Sequence, residues 1–165
     1  MVGPLKDGPR SPAVELVAAL TLAGETVALA ESCTGGGVMA ELTSVPGASA
    51  CVWGGCVVYD PAAKTSLVGV PADLVEEYGA VSEAVTRELA VRIRSLAGAS
   101  YGGAVTGWAG PEHGDEPAGT VYVAVACARG CESRRAVYDG DRSSVRRQAV
   151  DAVIAGLLKT HQEMY

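Results

Sequence analysis

The sequence predicts an α/β protein: a single domain folded as a three-layer α/β/α sandwich around a mixed β-sheet. Three observations carry this. Short apolar runs alternate with helical stripes through the first two thirds of the chain, the pattern of parallel strands joined by helices. Two later strand-like runs flank Arg129-Gly130 as a hairpin, which adds antiparallel pairing. The length of 165 residues, 48% apolar and 19% charged, suits one core.

The elements follow in order. Residues 1–10 read as a flexible leader, and the domain as residues 11–165. Ser11-Pro12 supplies an N-cap and a first-turn proline, Ala13, Leu16, Val17 and Leu20 form an apolar stripe, and Gly24 closes the helix. Thr26–Ala30 reads as a buried strand that breaks into Glu31–Gly37. Val38–Val45 then reads as a helix stopped by Pro46-Gly47. Cys51–Tyr59 is a second strand whose Gly54-Gly55 marks a bulge or a close backbone approach. After Asp60-Pro61, a short turn or helix carries Lys64. Pro71–Tyr78 is a brief helix, and Ser82 caps a longer one with Val85, Leu89, Ile93 and Leu96 on one face, ended by Gly98. Gly102–Val105 is a strand leading into Thr106–Pro111, and Glu112–Ala118 is an exposed loop. Thr120–Ala128 and Ser133–Tyr138 form the hairpin, and Asp141 opens the last helix, with Val145, Ala149, Val153 and Leu157 on one side.

Composition excludes several classes of function. Thirteen Lys+Arg against nineteen Asp+Glu give a net charge of −6 with no basic block, unsuited to neutralising nucleic-acid phosphates. No apolar run approaches the ~18 residues of a membrane span, and the first residues lack the apolar stretch of a secretion signal. The expectation is a cytoplasmic protein that touches neither nucleic acid nor membrane; its Ala/Val-rich surface suggests a homodimer. The five cysteines form no CxxC pair, and His113 and His161 lack partners at helical spacing, so no metal and no cofactor are expected.

Chemistry concentrates where strands end, the usual ligand position in open α/β sheets. Three segments qualify. In Glu31–Gly37, Ser32 and Thr34 carry hydroxyls, and Gly35, Gly36 and Gly37 leave amides uncovered at a helix start, able to hold a phosphate or an oxyanion. Ser32 alone reads as an ordinary cap, and the three glycines, which a cap does not require, shift the balance. Tyr59–Lys64 joins a phenol to an amine. Without a well-placed histidine, a serine nucleophile needs a carboxylate or a lysine of lowered pKa as its base; a solvated Lys64 is the structural alternative. Thr106–Pro111 repeats the glycine-rich pattern and includes Gly107. Arg142 and Arg146 lie one helical turn apart, where they either grip an anion or pair with Asp139 and Asp141.

Read together, Ala30-Glu31-Ser32-Cys33-Thr34-Gly35-Gly36, Pro46–Ser49, Tyr59…Lys64, Gly79–Ser82, Ala104–Pro111, Gly119–Tyr122 and Gly140-Asp141-Arg142 followed by Arg146 are similar, in collinear order, to one family. The chain resembles the CinA C-terminal-domain family, whose characterised members are nicotinamide mononucleotide deamidases. The resemblance spans residues 11–160. It implies metal-free hydrolysis of the nicotinamide carboxamide, a step in pyridine nucleotide salvage, with Ser32 as nucleophile, Lys64 as base and Tyr59 as assisting phenol. The Thr34–Gly36 amides are expected to receive the oxyanion, and Thr106, Arg146, Ser49 and Arg142 to hold the ribose and phosphate of a small-molecule nucleotide. The pyrophosphatase-type domain that precedes this module in longer relatives finds no room in 165 residues. Three departures bear on substrate: Pro61 stands in the Tyr…Lys turn, Trp108 replaces a family isoleucine, and Glu112–Ala118 lacks the Lys-Pro often found before the family's hairpin.

Three alternatives compete. Gly35-x-Gly37-x-x-Ala40 with Asp60 imitates a dinucleotide-binding fingerprint, although Glu31–Thr34 intervenes between the strand and its first glycine. Family ties to DNA uptake and damage responses imply a non-catalytic interaction module. Cys33 beside Ser32 is a rival nucleophile, unless it packs inward as a small apolar side chain.

Overall fold

Capping chemistry places the first helix. The Ser11 side chain accepts from the Val14 amide, Pro12 occupies the first turn, and Gly24 closes the helix in a left-handed conformation, giving α1 (Pro12–Ala23). The computed structural model describes residues 11–111 and 113–165; the expected leader, residues 1–10, and Glu112 lie outside the described residues. The chain continues as β1 (Val27–Glu31), α2 (Gly37–Thr43), a 3-10 turn at Ala48–Ala50, β2 (Val52–Val57), α3 (Pro61–Val68), α4 (Ala72–Tyr78) and α5 (Glu83–Ala97). It ends with β3 (Tyr101–Gly107), β4 (Thr120–Cys127), β5 (Gly130–Val137) and α6 (Arg142–Gln162).

The five strands form one sheet in the order β2-β1-β3-β4-β5. β1 runs parallel to β2 and β3, and β3-β4-β5 are antiparallel neighbours, so the sheet is mixed. Alternation sorts each strand onto two faces. Val27 and Leu29 of β1, with Val121, Val123 and Val125 of β4, meet α1, α2 and α6 in one core. Ala28, Ala30, Ala104, Ala124 and Ala126 meet Val85, Leu89, Ala90 and Ile93 of α5 in the other. The three-layer α/β/α sandwich follows from these two cores.

Side-chain size sets the layer spacing. A Cβ on Gly102 would stand 2.1 Å from the Ala90 carbonyl oxygen, so α5 rests directly on the β3 backbone. Gly54-Gly55 meets both expectations made of it. The β1–β2 register shifts between Val27–Val52 and Ala28–Gly54, and a Cβ on Gly55 would meet the Leu29 carbonyl oxygen at 2.2 Å.

Besides shifts of one or two residues at the ends of β1, β2 and β4, four segments differ from the sequence reading for a local reason. The Lys64 segment is a full helix, because Asp60 caps it through the Ala62 amide (2.8 Å) and Pro61 fits its first turn. α2 ends at Thr43, where the Thr43 and Ser44 hydroxyls turn back onto the Met39 and Glu41 carbonyls. β3 extends from Tyr101 to Gly107 because both ends pair with neighbouring strands. β5 begins at Gly130, which pairs with Cys127 across a two-residue turn; on this polar edge strand no apolar alternation marks the start.

Candidate active site

Strand order reverses at β1: the chain goes from β1 to β2 on one side and later returns as β3 on the other. The carboxyl ends of β1 and β3 therefore splay their loops apart, leaving the crevice where α/β sheets bind ligands. A cleft of about 360 Å³ opens there, lined by Ser32, Lys64, Tyr59, Arg142, Gly107 and Trp108 among others. Its size falls in the ordinary range for small-molecule sites.

Ser32 is 5% exposed and directly follows β1. Its amide donates to the Val105 carbonyl (3.1 Å), which ties the loop to β3. Lys64, on the fourth residue of α3, turns inward and is 1% exposed. Its Nζ donates to the Val58 carbonyl at 2.7 Å and to Ser32 Oγ at 3.2 Å. Among the described residues no carboxylate forms an ion pair with it. Burial therefore holds the amine below its usual value near 10.5, only partly offset by the fields of Cys33 and Asp60. A neutral amine next to a serine hydroxyl can accept its proton. Cys33 borders the cleft but is 5% exposed and packs in the α1/α6 core, and burial pushes its thiol up to about 11. A thiol in that state is a poor nucleophile near neutrality.

The loop that carries Ser32 is organised by a residue the sequence reading passed over. Glu31 is 3% exposed, and its carboxylate accepts from Thr34 Oγ1 (2.6 Å), the Gly36 amide (3.1 Å), the Val38 amide (3.0 Å) and the Met39 amide (2.8 Å). α2 has Gly36 at its N-cap and no side-chain cap of its own, so Glu31 supplies the acceptor from the strand end. A carboxylate at the end of an apolar strand, followed by glycines and an uncapped helix, is the signal that points to it. Gly35 (φ 60°) and Gly36 (φ 95°) turn through left-handed backbone, which accounts for the glycine run by loop geometry.

These bonds change which amides can face a substrate. The Gly35 amide donates to the Ser32 carbonyl (3.0 Å) and the Gly36 amide to Glu31, so two of the three donors expected to serve an oxyanion are committed within the loop. Among the described residues the amides of Cys33 and Thr34 have no acceptor. Arg146 lies behind the same loop: its Nε donates to the Cys33 carbonyl and its Nη2 to the Thr34 carbonyl, each at 3.0 Å.

The other expected residues divide. Tyr59 is 60% exposed at the cleft rim, and its hydroxyl accepts from Arg142 Nη2 (3.0 Å) rather than from Lys64. Arg142 occupies the first position of α6, electrostatically unfavourable for a cation, and has donors left for an anion. Thr106 is buried away from the cleft, 2.8 Å from Thr86 Oγ1. The Thr86 hydroxyl donates to the Ser82 carbonyl, so Thr106 is the donor of that pair. Ser49 lies in the turn before β2, at the opposite end of the sheet from the cleft. Pro61 lines the cleft as the first residue of α3, where a backbone N–H has no helical partner in any case. Among the described residues no three His, Cys, Asp or Glu side chains converge as metal ligands.

The model of the CinA C-terminal domain matches residues 10–161. The chain belongs to the CinA C-terminal-domain family. A CinA-like protein of Anaeromyxobacter sp. (strain K) is 52% identical over 136 residues, covering 81% of this chain and 33% of the relative. A CinA-like protein of Synechococcus elongatus is 42% identical over 143 residues, covering 82% and 34%. The chain thus spans about a third of the length of the curated CinA-like relatives it matches. Among solved structures, a competence-damaged protein (CinA) superfamily protein of Klebsiella pneumoniae superposes with a TM-score of 0.88 at 34% identity, over 92% of this chain and 96% of that one. The CinA superfamily protein of Escherichia coli gives 0.87 at 30% identity, over 97% and 95%. No helix among the described residues is long and apolar enough to cross a membrane.

Proposed function

We propose that this CinA domain is an amidohydrolase that converts nicotinamide mononucleotide to nicotinate mononucleotide and ammonia. The observation that carries this reading is the Lys64 amine, shielded from water and 3.2 Å from Ser32 Oγ in the cleft. In the neutral form Lys64 accepts the Ser32 proton while Val58 fixes its position, and the serine oxygen attacks the carboxamide carbon. The free amides of Cys33 and Thr34 receive the oxyanion; one such donor is commonly worth ~10²–10³ in kcat. Lys64 returns the proton to the departing nitrogen, ammonia leaves, and an acyl-serine remains. Water, deprotonated by the same amine, then releases the carboxylate and restores Ser32. Arg142, held by Tyr59, offers its remaining N–H groups to the phosphate at the cleft mouth.

The dinucleotide alternative has less support. Glu31 already occupies the N-terminal amides of α2, where a pyrophosphate would sit, and Asp60 is engaged in capping α3. The test is ammonia release from nicotinamide mononucleotide by purified protein without added metal. Activity is expected to survive a chelator and to vanish in Ser32→Ala. Micromolar NAD binding by a protein that releases no ammonia would favour the dinucleotide reading instead.

A further inference from the structure

Trp108 and His113 both line the cleft, with ring centroids 4.1 Å apart and planes 18° from parallel, so the two rings are stacked. They are held very differently. The Trp108 amide donates to the Thr120 carbonyl and its carbonyl accepts from the Gly119 amide, each at 2.8 Å, which fastens it to the start of β4. His113 sits on the exposed loop after β3. Its backbone bonds only to Glu116, reciprocally at 3.0 Å, and its own side chain has no hydrogen-bond partner among the described residues. The indole is thus a fixed plate, and the imidazole is a cover resting on it.

The charges around this plate are selective. Among the described residues that line the cleft, the ionisable groups are Lys64, Arg142, Tyr59, Cys33 and His113, with no carboxylate. Among the described residues a cationic ligand group finds no ion-pair partner there, and its favourable contacts are the faces of aromatic rings. An anionic ligand group, in contrast, finds Arg142. A ligand that combines a flat cationic ring with an anion matches both features.

We propose that Trp108 is the seat for a pyridinium ring, covered by His113 in the free protein, and that it makes the cleft select cationic pyridine rings over neutral ones. This deepens the amidohydrolase reading and rests on it for the choice of ring. The seat is a property of this chain's Trp108 rather than of its catalytic pair, and so it is testable without turnover.

The experiment is isothermal titration of the Ser32→Ala protein with nicotinamide mononucleotide and with its 1,4-dihydro form, which keeps the carboxamide, ribose and phosphate but has a neutral ring. The oxidised form is expected to bind about tenfold tighter, the scale of a desolvated cation–π contact. Adding Trp108→Ile should bring the two affinities together, chiefly by weakening the oxidised form. Trp108→Phe should keep the preference, which shows that the fold tolerates substitution there. His113→Ala should leave the preference intact and tighten binding severalfold, since no cover has to be displaced. Equal binding of the two forms, or a preference that survives Trp108→Ile, overturns the proposal; a loss in His113→Ala as large as in Trp108→Ile overturns the cover. If the preference depends on Trp108 while the parent protein releases no ammonia, the seat stands and the amidohydrolase reading falls. If ammonia is released and the preference ignores Trp108, only the seat falls.

Discussion

A protonated Lys64 would leave its charge with only the Val58 carbonyl and Ser32 Oγ as acceptors, so the fold favours the neutral amine. Two consequences follow. The acylation rate should rise with pH and level off below 10.5, the ordinary value from which burial lowers this amine. In the window between that lowered pKa and 10.5 the unfolded chain binds a proton that the folded chain does not, so stability rises with pH. Denaturant melts of wild type and Lys64→Met should show the wild type gaining on the variant as pH increases through that window; a constant difference would argue against a neutral amine. Ser32→Ala should abolish turnover, whereas Cys33→Ala should largely preserve it, since the Cys33 thiol is packed in the core and raised to about 11. Glu31→Gln places an amide donor among four converging donors. A loss of about 1–3 kcal/mol in stability is expected, the cost of unmet buried groups, together with a fall in kcat larger than any change in KM. The two arginines should separate in steady-state kinetics. Arg142→Ala should mainly raise KM, because the residue faces the cleft mouth. Arg146→Ala should lower kcat, because that guanidinium holds the carbonyls of the loop that carries Ser32.

At the scale of elements, α5 shows how close packing is written into small residues. Gly102, Ala104, Ala124 and Ala126 let this helix lie against the sheet, and Thr86 on α5 bonds Thr106 at the end of β3. Gly102→Ala would drive a Cβ to 2.1 Å from the Ala90 carbonyl oxygen, which α5 relieves only by moving away. A loss of roughly 1–3 kcal/mol is expected, as for other overpacked cores, read as a lowered Tm. Leu89→Ala, on the same face, should cost about 2–5 kcal/mol by leaving a cavity. The helices were legible in the sequence because their caps are local. Ser11, Ser82 and Asp141 each bond an amide three residues on, and Gly24 and Gly98 end helices in left-handed conformations. α2 was harder to delimit because its cap comes from Glu31, across the glycine turn and at the end of another element.

For the molecule as a whole, alternation and the hairpin sufficed to read a mixed sheet between helix layers, because both depend on short-range periodicity and turn chemistry. Which residues share a site is a different matter. Ser32 and Lys64 are 32 positions apart and meet because β1 and α3 reach the same end of the sheet. The same placement keeps Ser49 at the far end and turns Thr106 towards α5, where neighbouring sequence cannot indicate direction. The sequence by itself determined the layered fold, the strand-end position of the polar loops and the family, since these rest on patterns that a chain carries residue by residue. Only the tertiary structure decided that Lys64 is dry, that Glu31 rather than a ligand takes the α2 amides, and that His113 covers Trp108. Burial and contacts between distant segments exist only once the layers have closed on one another.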